Sequence, residues 1–170
     1  MSTATPVTPA PALRPYLASD APVLAGIFRA AIEELTGEDY SPDQQEAWAA
    51  AADDDAEFAE RLAGQLTLVA TISGQPVGFI ALKGDKVIDL LYVHPAVVGK
   101  GVATLLCGAA EALAKARGTS VLSVDASDTA LGFFQQRGYE AQRRNTVPRG
   151  TVWLGNTTLH KSFSEEKTLQ

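Results

Sequence analysis

The sequence predicts a single α+β domain (α/β in the broad sense): a mixed, mostly antiparallel sheet flanked by helices. Three observations carry that reading. At 170 residues the chain has about the length of one domain. With 46% hydrophobic residues it is long and apolar enough to bury about 70% of its unfolded surface without a staple. Its hydrophobic period is helical over the first third and alternating in the middle. It then gives strand, helix, strand, helix and a hairpin. Antiparallel strands feeding a strand–helix–strand crossover make a layered fold.

The elements follow in order. Residues 1–12 are rich in Ala, Thr and Pro, with three prolines, and read as a disordered tail. Residues 13–17 form a short first strand. Asp20 fits a helix N-cap and Pro22 the first turn. Val23, Leu24, Ile27, Phe28, Ala31, Ile32 and Leu35 recur at helical spacing, and Gly37 ends the run. Ser41-Pro42 opens a second helix through Trp48, and residues 53–62 a third. Leu66, Leu68, Ala70 and Ile72 then alternate as a strand. Turns at 73–76 and 84–85 separate it from strands 77–82 and 87–93, giving a meander. The last is almost wholly apolar, which predicts burial on both faces. A helix at 101–117 carries a stripe of Val102, Leu105, Leu106, Ala109, Ala110 and Leu113, capped by Gly118. Strand 121–124, a short helix at 127–137 and a hairpin of 139–145 with 151–163 close the domain, taken as 13–163. Residues 164–170 are a polar tail.

Composition excludes several function classes. One cysteine, Cys107, excludes a disulfide framework and a cysteine-based zinc site, and no metal is expected. The net charge of −6 argues against nucleic-acid binding. No apolar run reaches the ~18 residues of a membrane span, and no signal peptide is read, so a cytoplasmic protein is expected. Between Glu33 and Glu60 there are eleven acids and no base. This segment is either a solvated helical face or a region that attracts a cationic substrate.

The chemistry concentrates in Val93-His94-Pro95-Ala96-Val97-Val98-Gly99-Lys100-Gly101-Val102-Ala103-Thr104. Here a buried strand enters a glycine-containing loop and then a helix. The first N–H groups of a helix lack internal partners, and the dipole places positive charge there. Gly99 and Gly101 admit positive φ and close approach of a ligand. Together these features make an anion site suited to a pyrophosphate. The spacing is neither GxxxxGK[ST] nor GxGxxG, and a plain tight turn is the alternative.

This stretch resembles motif A of the GNAT superfamily of N-acetyltransferases: V-x-P, then Arg or Gln, then G-x-G-[IV]-[GA] and a leucine-rich helix. Val93, Pro95, Gly99, Gly101, Val102, Ala103 and Leu105-Leu106 match it, whereas Val98 stands where Arg or Gln is usual. Ser123-Val124-Asp125-Ala126-Ser127, Ala130, Phe134, Gly138 and Tyr139 resemble the second family motif. Tyr40-Ser41-Pro42, Ala47-Trp48 and Phe133-Phe134 are similar in particular to the YafP-like branch.

The resemblance implies a sheet with splayed central strands and acetyl-CoA held in the gap between strands 87–93 and 121–125. Loop amides at Val98, Gly99, Lys100, Gly101, Val102, Ala103 and Thr104 would bind the pyrophosphate. Backbone groups of Leu91, Tyr92 and Val93 would meet the pantetheine arm and thioester carbonyl, with Ser127, Phe134 and Arg137 also on the cofactor side. The acetyl group would pass directly to an amine. An alkylamine with pKa about 10.4 is neutral about once in a few thousand molecules at pH 7, so a general base is worth about 10²–10⁴. Asp89 is either the first base candidate or a structural carboxylate that caps a neighbouring backbone. Asp125 either faces the acceptor or caps the following helix, and Tyr92 is an acid or a core aromatic. Phe134 occupies the place of the family's usual acidic tyrosine and has no proton to give. His94 reads as exposed at the loop mouth, His160 as structural and Cys107 as helix packing. Tyr40 and Trp48 lie in the segment that walls the acceptor pocket in this family, which suits a small cationic or aromatic amine; the alternative is that Trp48 anchors the second helix to the core. A homodimer through the closing hairpin is the expected assembly. A non-catalytic acyl-CoA-binding module is the alternative, suggested by Phe134 and Val98.

Overall fold

The computed structural model describes residues 9–163. Seven strands form one sheet in the order β1-β2-β3-β4-β5-β7-β6. They are β1 (Ala12–Pro15), β2 (Leu66–Ile72), β3 (Gln75–Lys83), β4 (Val87–Val93), β5 (Val121–Ser127), β6 (Glu140–Arg149) and β7 (Val152–Ser162). The helices are α1 (Ala21–Leu35), α2 (Pro42–Ala49), α3 (Asp55–Ala63), α4 (Val102–Ala116) and α5 (Leu131–Gln136). Every strand pairing is antiparallel except β4–β5. The expected fold class holds. Among the described residues no helix is long and apolar enough to cross a membrane.

The two sheet faces carry two cores. Leu24, Phe28, Ile32, Phe58 and Leu62 of α1 and α3 pack on Val69, Phe79, Ala81 and Leu90. On the other face Leu106, Ala110 and Ala114 of α4, with Phe134 of α5, pack on Ile80, Ile88, Leu122, Val124 and Leu159. α2 begins with a capping box: Ser41 Oγ accepts from Gln44 N at 3.2 Å and Gln44 Oε1 accepts from Ser41 N at 2.8 Å. Asp20 occupies the position before α1 but makes no cap bond. Its carboxylate is taken instead by Arg14 (2.7 Å to each oxygen) and Leu17 N (2.8 Å).

Several boundaries differ from the sequence reading. β1 starts at Ala12, inside the expected tail, because its ladder with β2 begins at Thr71. Residues 1–8 and the polar tail 164–170 lie outside the described residues. β5 continues to Ser127, and α5 starts only at Leu131, since the full length of β7 remains available for pairing. Pro148 lies within β6 opposite Trp153, and the hairpin turns at Gly150–Thr151.

The most consequential irregularity is in β4. Leu82 pairs with Ile88 and Ala81 with Leu90, so Asp89 is an extra residue. Such a bulge bends a strand and re-aims its side chains. Ile88 therefore packs toward α4 while Leu90 and Tyr92 pack toward α1. β5 is registered with β4 only at Val87–Ser123 and Ile88–Val124, and beyond that point the two strands diverge. This explains why β4 is not buried throughout as its composition predicts: only Ile88 and Leu90 are fully enclosed.

Candidate active site

The divergence of β4 and β5 opens the sheet itself. His94 N donates to Val77 O at 2.8 Å, so the even-numbered residues of β4 turn their backbone groups toward β3. Antiparallel ladders alternate, so the N–H and C=O groups of Leu91 and Val93 point toward β5. Among the described residues no strand is paired to them there. A sheet interior with free ladder groups is a docking edge for an extended ligand.

At its N-terminal-helix end this gap meets the loop before α4. Gly99 and Gly101 have φ of +82° and +79°, which L-residues seldom adopt. Nothing lies within 4 Å of a Cβ built on either one, so the loop mouth is not plugged by side chains. Val98 N and Lys100 N already donate to Pro95 O (3.3 Å) and Val97 O (3.2 Å). This narrows the expected amide set. Gly99, Gly101, Val102, Ala103 and Thr104 keep N–H groups with no backbone acceptor among the described residues. A crevice of about 420 Å³ runs along them from Val93 to Phe133. Val98 is an exposed apolar side chain, 54% accessible, and Lys100 is exposed without an ionic partner among the described residues.

The crevice continues into a second cavity of about 490 Å³, which shares Val93, Ala103 and Phe133 with it. Phe28, Tyr40, Trp48 and Tyr92 form its aromatic wall, and Val147, Arg149 and Leu154 of the β6–β7 hairpin lie across it. The wall is cross-braced. Trp48 Nε1 donates to Tyr92 Oη at 3.1 Å. Tyr40 is buried; its hydroxyl donates to Gly155 O at 2.6 Å and accepts from Asp128 N at 2.9 Å. The α1–α2 connection is thereby latched to β7 and to the turn after β5.

The titratable groups separate into two sets. Asp89 is occupied: Arg61 Nε and Nη2 reach its two oxygens at 2.8 and 3.0 Å, and Gln65 Nε2 adds a bond of 2.7 Å. Burial alone would raise its pKa. The hydrogen bonds from Arg61 and Gln65, with the charges of Arg61 and Lys83, outweigh that and hold it below the ordinary carboxylate range. Asp125 is different. It is exposed on the cavity wall and takes one bond, from Thr158 Oγ1 at 2.5 Å. Its Oδ2 has no partner among the described residues. Asp125 does not cap α5, whose N-cap residue Ala130 has no side-chain cap; in the turn before it Ser127 Oγ accepts from Ala130 N at 3.1 Å. Burial pushes the Tyr92 phenol up to about 12, so it stays protonated at neutral pH.

Arg137 does not reach the loop. Its guanidinium donates to Glu111 Oε1 at 2.5 Å, and Glu111 also accepts from Tyr139 Oη (2.7 Å) and Lys161 Nζ (3.2 Å). Phe134 is a core side chain stacked edge-on against Tyr139. Cys107 is buried against the same Glu111, and burial raises its thiol to about 11. His94 Nδ1 accepts from Ala96 N at 3.1 Å. All eleven acids of the segment from Glu33 to Glu60 are exposed and none lines the cavity. They supply a long-range negative potential and no contact. Among the described residues no three His, Cys, Asp or Glu side chains cluster as a metal site would. Arg61, Gln65, Asn145, Asn156 and Thr158 are site residues that sequence reasoning missed.

A strand bulge, splayed parallel strands and a glycine loop at a helix N-terminus coincide with a family model. Residues 36–155 match the acetyltransferase (GNAT) domain. The chain belongs to the GNAT acetyltransferases. It is 36% identical over 144 residues to the uncharacterized N-acetyltransferase YafP of Escherichia coli K12, covering 85% of this chain and 91% of that protein. A GCN5-related N-acetyltransferase crystal structure from Rhodopseudomonas palustris, also described as a class-II aminotransferase, shares 60% identity. It superposes with a TM-score of 0.89 over 94% of this chain and 99% of the other. The PaiA N-acetyltransferase of Thermoplasma acidophilum, solved with coenzyme A, is 18% identical and shows the same fold. Its TM-score is 0.74 over 91% and 99% of the two chains.

Proposed function

We propose that this acetyltransferase moves the acetyl group of acetyl-CoA directly to the amine of a small-molecule acceptor, with Asp125 as the base. The observation that carries the reading is the continuous crevice from the free amides after Gly99 to the aromatic cavity. The diphosphate would rest on the amides of Gly99 and Gly101 to Thr104. The pantetheine arm would add to the free edge of β4 at Leu91 and Val93. The outward N–H of Leu91 lies where a thioester carbonyl could be polarised. The coenzyme A held by a structural neighbour supports the same cofactor.

In the reaction the acceptor ammonium gives one proton to Asp125 Oδ2, directly or through one water. The freed nitrogen lone pair forms the C–N bond, the C–S bond breaks, and the thiolate departs. The second nitrogen proton of the new amide cation passes to the thiolate. The products are an N-acetylated amine, coenzyme A and one proton. Asp125 fits the base role because it lines the cavity and one of its oxygens has no partner among the described residues, whereas both oxygens of Asp89 are engaged by Arg61 and Gln65. Asp89 is better read as the clamp that holds the bulge to α3. Tyr92 supplies at most a hydrogen bond.

The aromatic wall and the cavity volume of about 490 Å³ favour a primary amine on an aromatic or apolar body. The test is thiol release from acetyl-CoA, read by a disulfide dye, with 2-phenylethylamine, tryptamine, spermidine and a lysine peptide. Faster release with the aromatic amines is expected. Acetyl-CoA binding without release for any amine would favour the non-catalytic module.

A further inference from the structure

Asp125 is held by a chain of side chains that runs in from the outermost strand. We propose that Thr158 is a positioning residue for Asp125, backed by Asn145 and Arg143, and that this chain leaves one chosen carboxylate oxygen for the acceptor amine. The inference rests on the reading of Asp125 as base and deepens it.

The direction of every bond is forced by donor counting. Arg143 Nε has only a proton to give, and it donates to Asn145 Oδ1 at 3.1 Å. Asn145 Nδ2 donates its two protons to Asn156 Oδ1 (2.9 Å) and Thr158 Oγ1 (2.7 Å). The threonine hydroxyl has one proton. Having accepted from Asn145, it spends that proton on Asp125 Oδ1 at 2.5 Å. Thr158 is 4% exposed, so water does not compete for it. The chain therefore ends on an acceptor oxygen, Asp125 Oδ1. Oδ1 is tied, and Oδ2, on a residue that lines the cavity, has no partner among the described residues.

The backbone register builds this line. Asp125 stands opposite Thr158, which stands opposite Arg143, and Asn156 stands opposite Asn145. Arg143 reaches that position because β6 shifts register between Ala141 and Arg143. Without the extra Gln142, the pairing would slip and the donors would face the wrong partners. No other side chain among the described residues bonds Asp125, so the rotamer of the base depends on Thr158.

The experiment compares the full chain with Thr158→Val, which keeps the shape and loses the hydroxyl, and Thr158→Ser, which keeps the hydroxyl. With 2-phenylethylamine as acceptor, Thr158→Val should lower kcat about 10–100-fold, the scale of a misplaced catalytic group. Acetyl-CoA affinity should stay within about twofold, since the diphosphate site is untouched. Thr158→Ser should recover most of the rate, which a packing role would not explain. The second readout needs no acceptor: the three-bond Hα–Hβ couplings of Asp125 should report one χ1 rotamer in the native chain and an average in Thr158→Val. Asn145→Ala is a second, milder break in the same chain and should partly average the couplings. The double variant Asp125→Asn/Thr158→Val should be no slower than Asp125→Asn alone.

The failures are distinguishable. Native turnover in Asp125→Asn would remove the base reading and this inference with it. An inactive Asp125→Asn beside a Thr158→Val with native turnover and unchanged couplings would overturn the positioning role alone. Rotamer averaging already present in the native chain would overturn it without any acceptor.

Discussion

Tyr40→Phe removes one oxygen from the latch that closes the acceptor cavity. In the native chain that hydroxyl donates to Gly155 O at 2.6 Å and accepts from Asp128 N at 2.9 Å, on a residue 6% exposed. The substitution keeps the ring and its edge-on contact with Trp48 at 5.2 Å, so the packing loss is small. What remains is one carbonyl and one amide with no partner. Each such group costs about 1–3 kcal/mol when buried. Because the turn at Asp128 lies near solvent, the expected sum is about 2–4 kcal/mol. For a domain of this size that is a fall in Tm of roughly 5–15 °C. The assay is differential scanning fluorimetry with and without acetyl-CoA. The coenzyme should stabilise native and variant chains by equal increments, because the loop at Gly99 is untouched. The acceptor KM should rise, because the α1–α2 connection is no longer tied to β7. A Tm within about 1 °C of native would mean that the latch is not closed in solution, and the account of the cavity wall would fail.

Three further outcomes follow from the same geometry. Gly101→Ala puts a side chain at φ +79° with no steric collision, at a cost of about 1–2 kcal/mol. The loop should relax and weaken acetyl-CoA binding about tenfold by calorimetry, while the fold persists. Gly78→Ala would bring a Cβ within 3.0 Å of Val102 Cγ1 and 3.1 Å of Tyr92 O. It should lower stability by about 1–3 kcal/mol and loosen the start of α4, seen as joint loss of Tm and coenzyme affinity. Stability should also fall on acidification. Arg14 holds Asp20 below its ordinary range, and the net effect on Asp89 and Glu111 is also downward, the hydrogen bonds outweighing burial. A depressed folded-state pKa means that the unfolded chain binds protons first. The stabilisation is present above about pH 4 and lost below it. Tm measured from pH 7 to pH 3.5 should drop, and Asp89→Asn should flatten the slope; an unchanged slope would show that the Arg61 clamp does not form.

The strands and helices were legible because their signals are local. The alternation at Leu66–Ile72, the stripe on α4 and the glycines flanking Lys100 depend on neighbours in sequence. Ser41-Pro42 marks the start of α2 for the same reason. The β4 bulge was not legible. Nothing in Val87-Ile88-Asp89-Leu90 says that one residue will be skipped; that is decided by how β3 and β5 share β4. Asp89 drew attention as a carboxylate in an apolar strand, and its engagement by Arg61, 28 residues away, is invisible to periodicity. Arg137 looked like a phosphate ligand at a helix end. Glu111 redirects it, and only the packing of α4 beside α5 reveals that. Asp125 and Thr158 are 33 residues apart, and their meeting depends on the β5–β7 register. Side chains that act through tertiary hydrogen bonds were the ones missed, whereas the glycine loop, which acts through its own backbone, was found.

The most direct measurement is an amide chemical-shift titration of 15N-labelled protein with coenzyme A. The account predicts the largest changes at Gly99, Gly101, Val102, Ala103 and Thr104, with a second set at Leu91 and Val93. Val98 and Lys100, whose N–H groups are already spent on Pro95 and Val97, should move less. Shifts confined to other surfaces, or no saturable change at millimolar ligand, would contradict it.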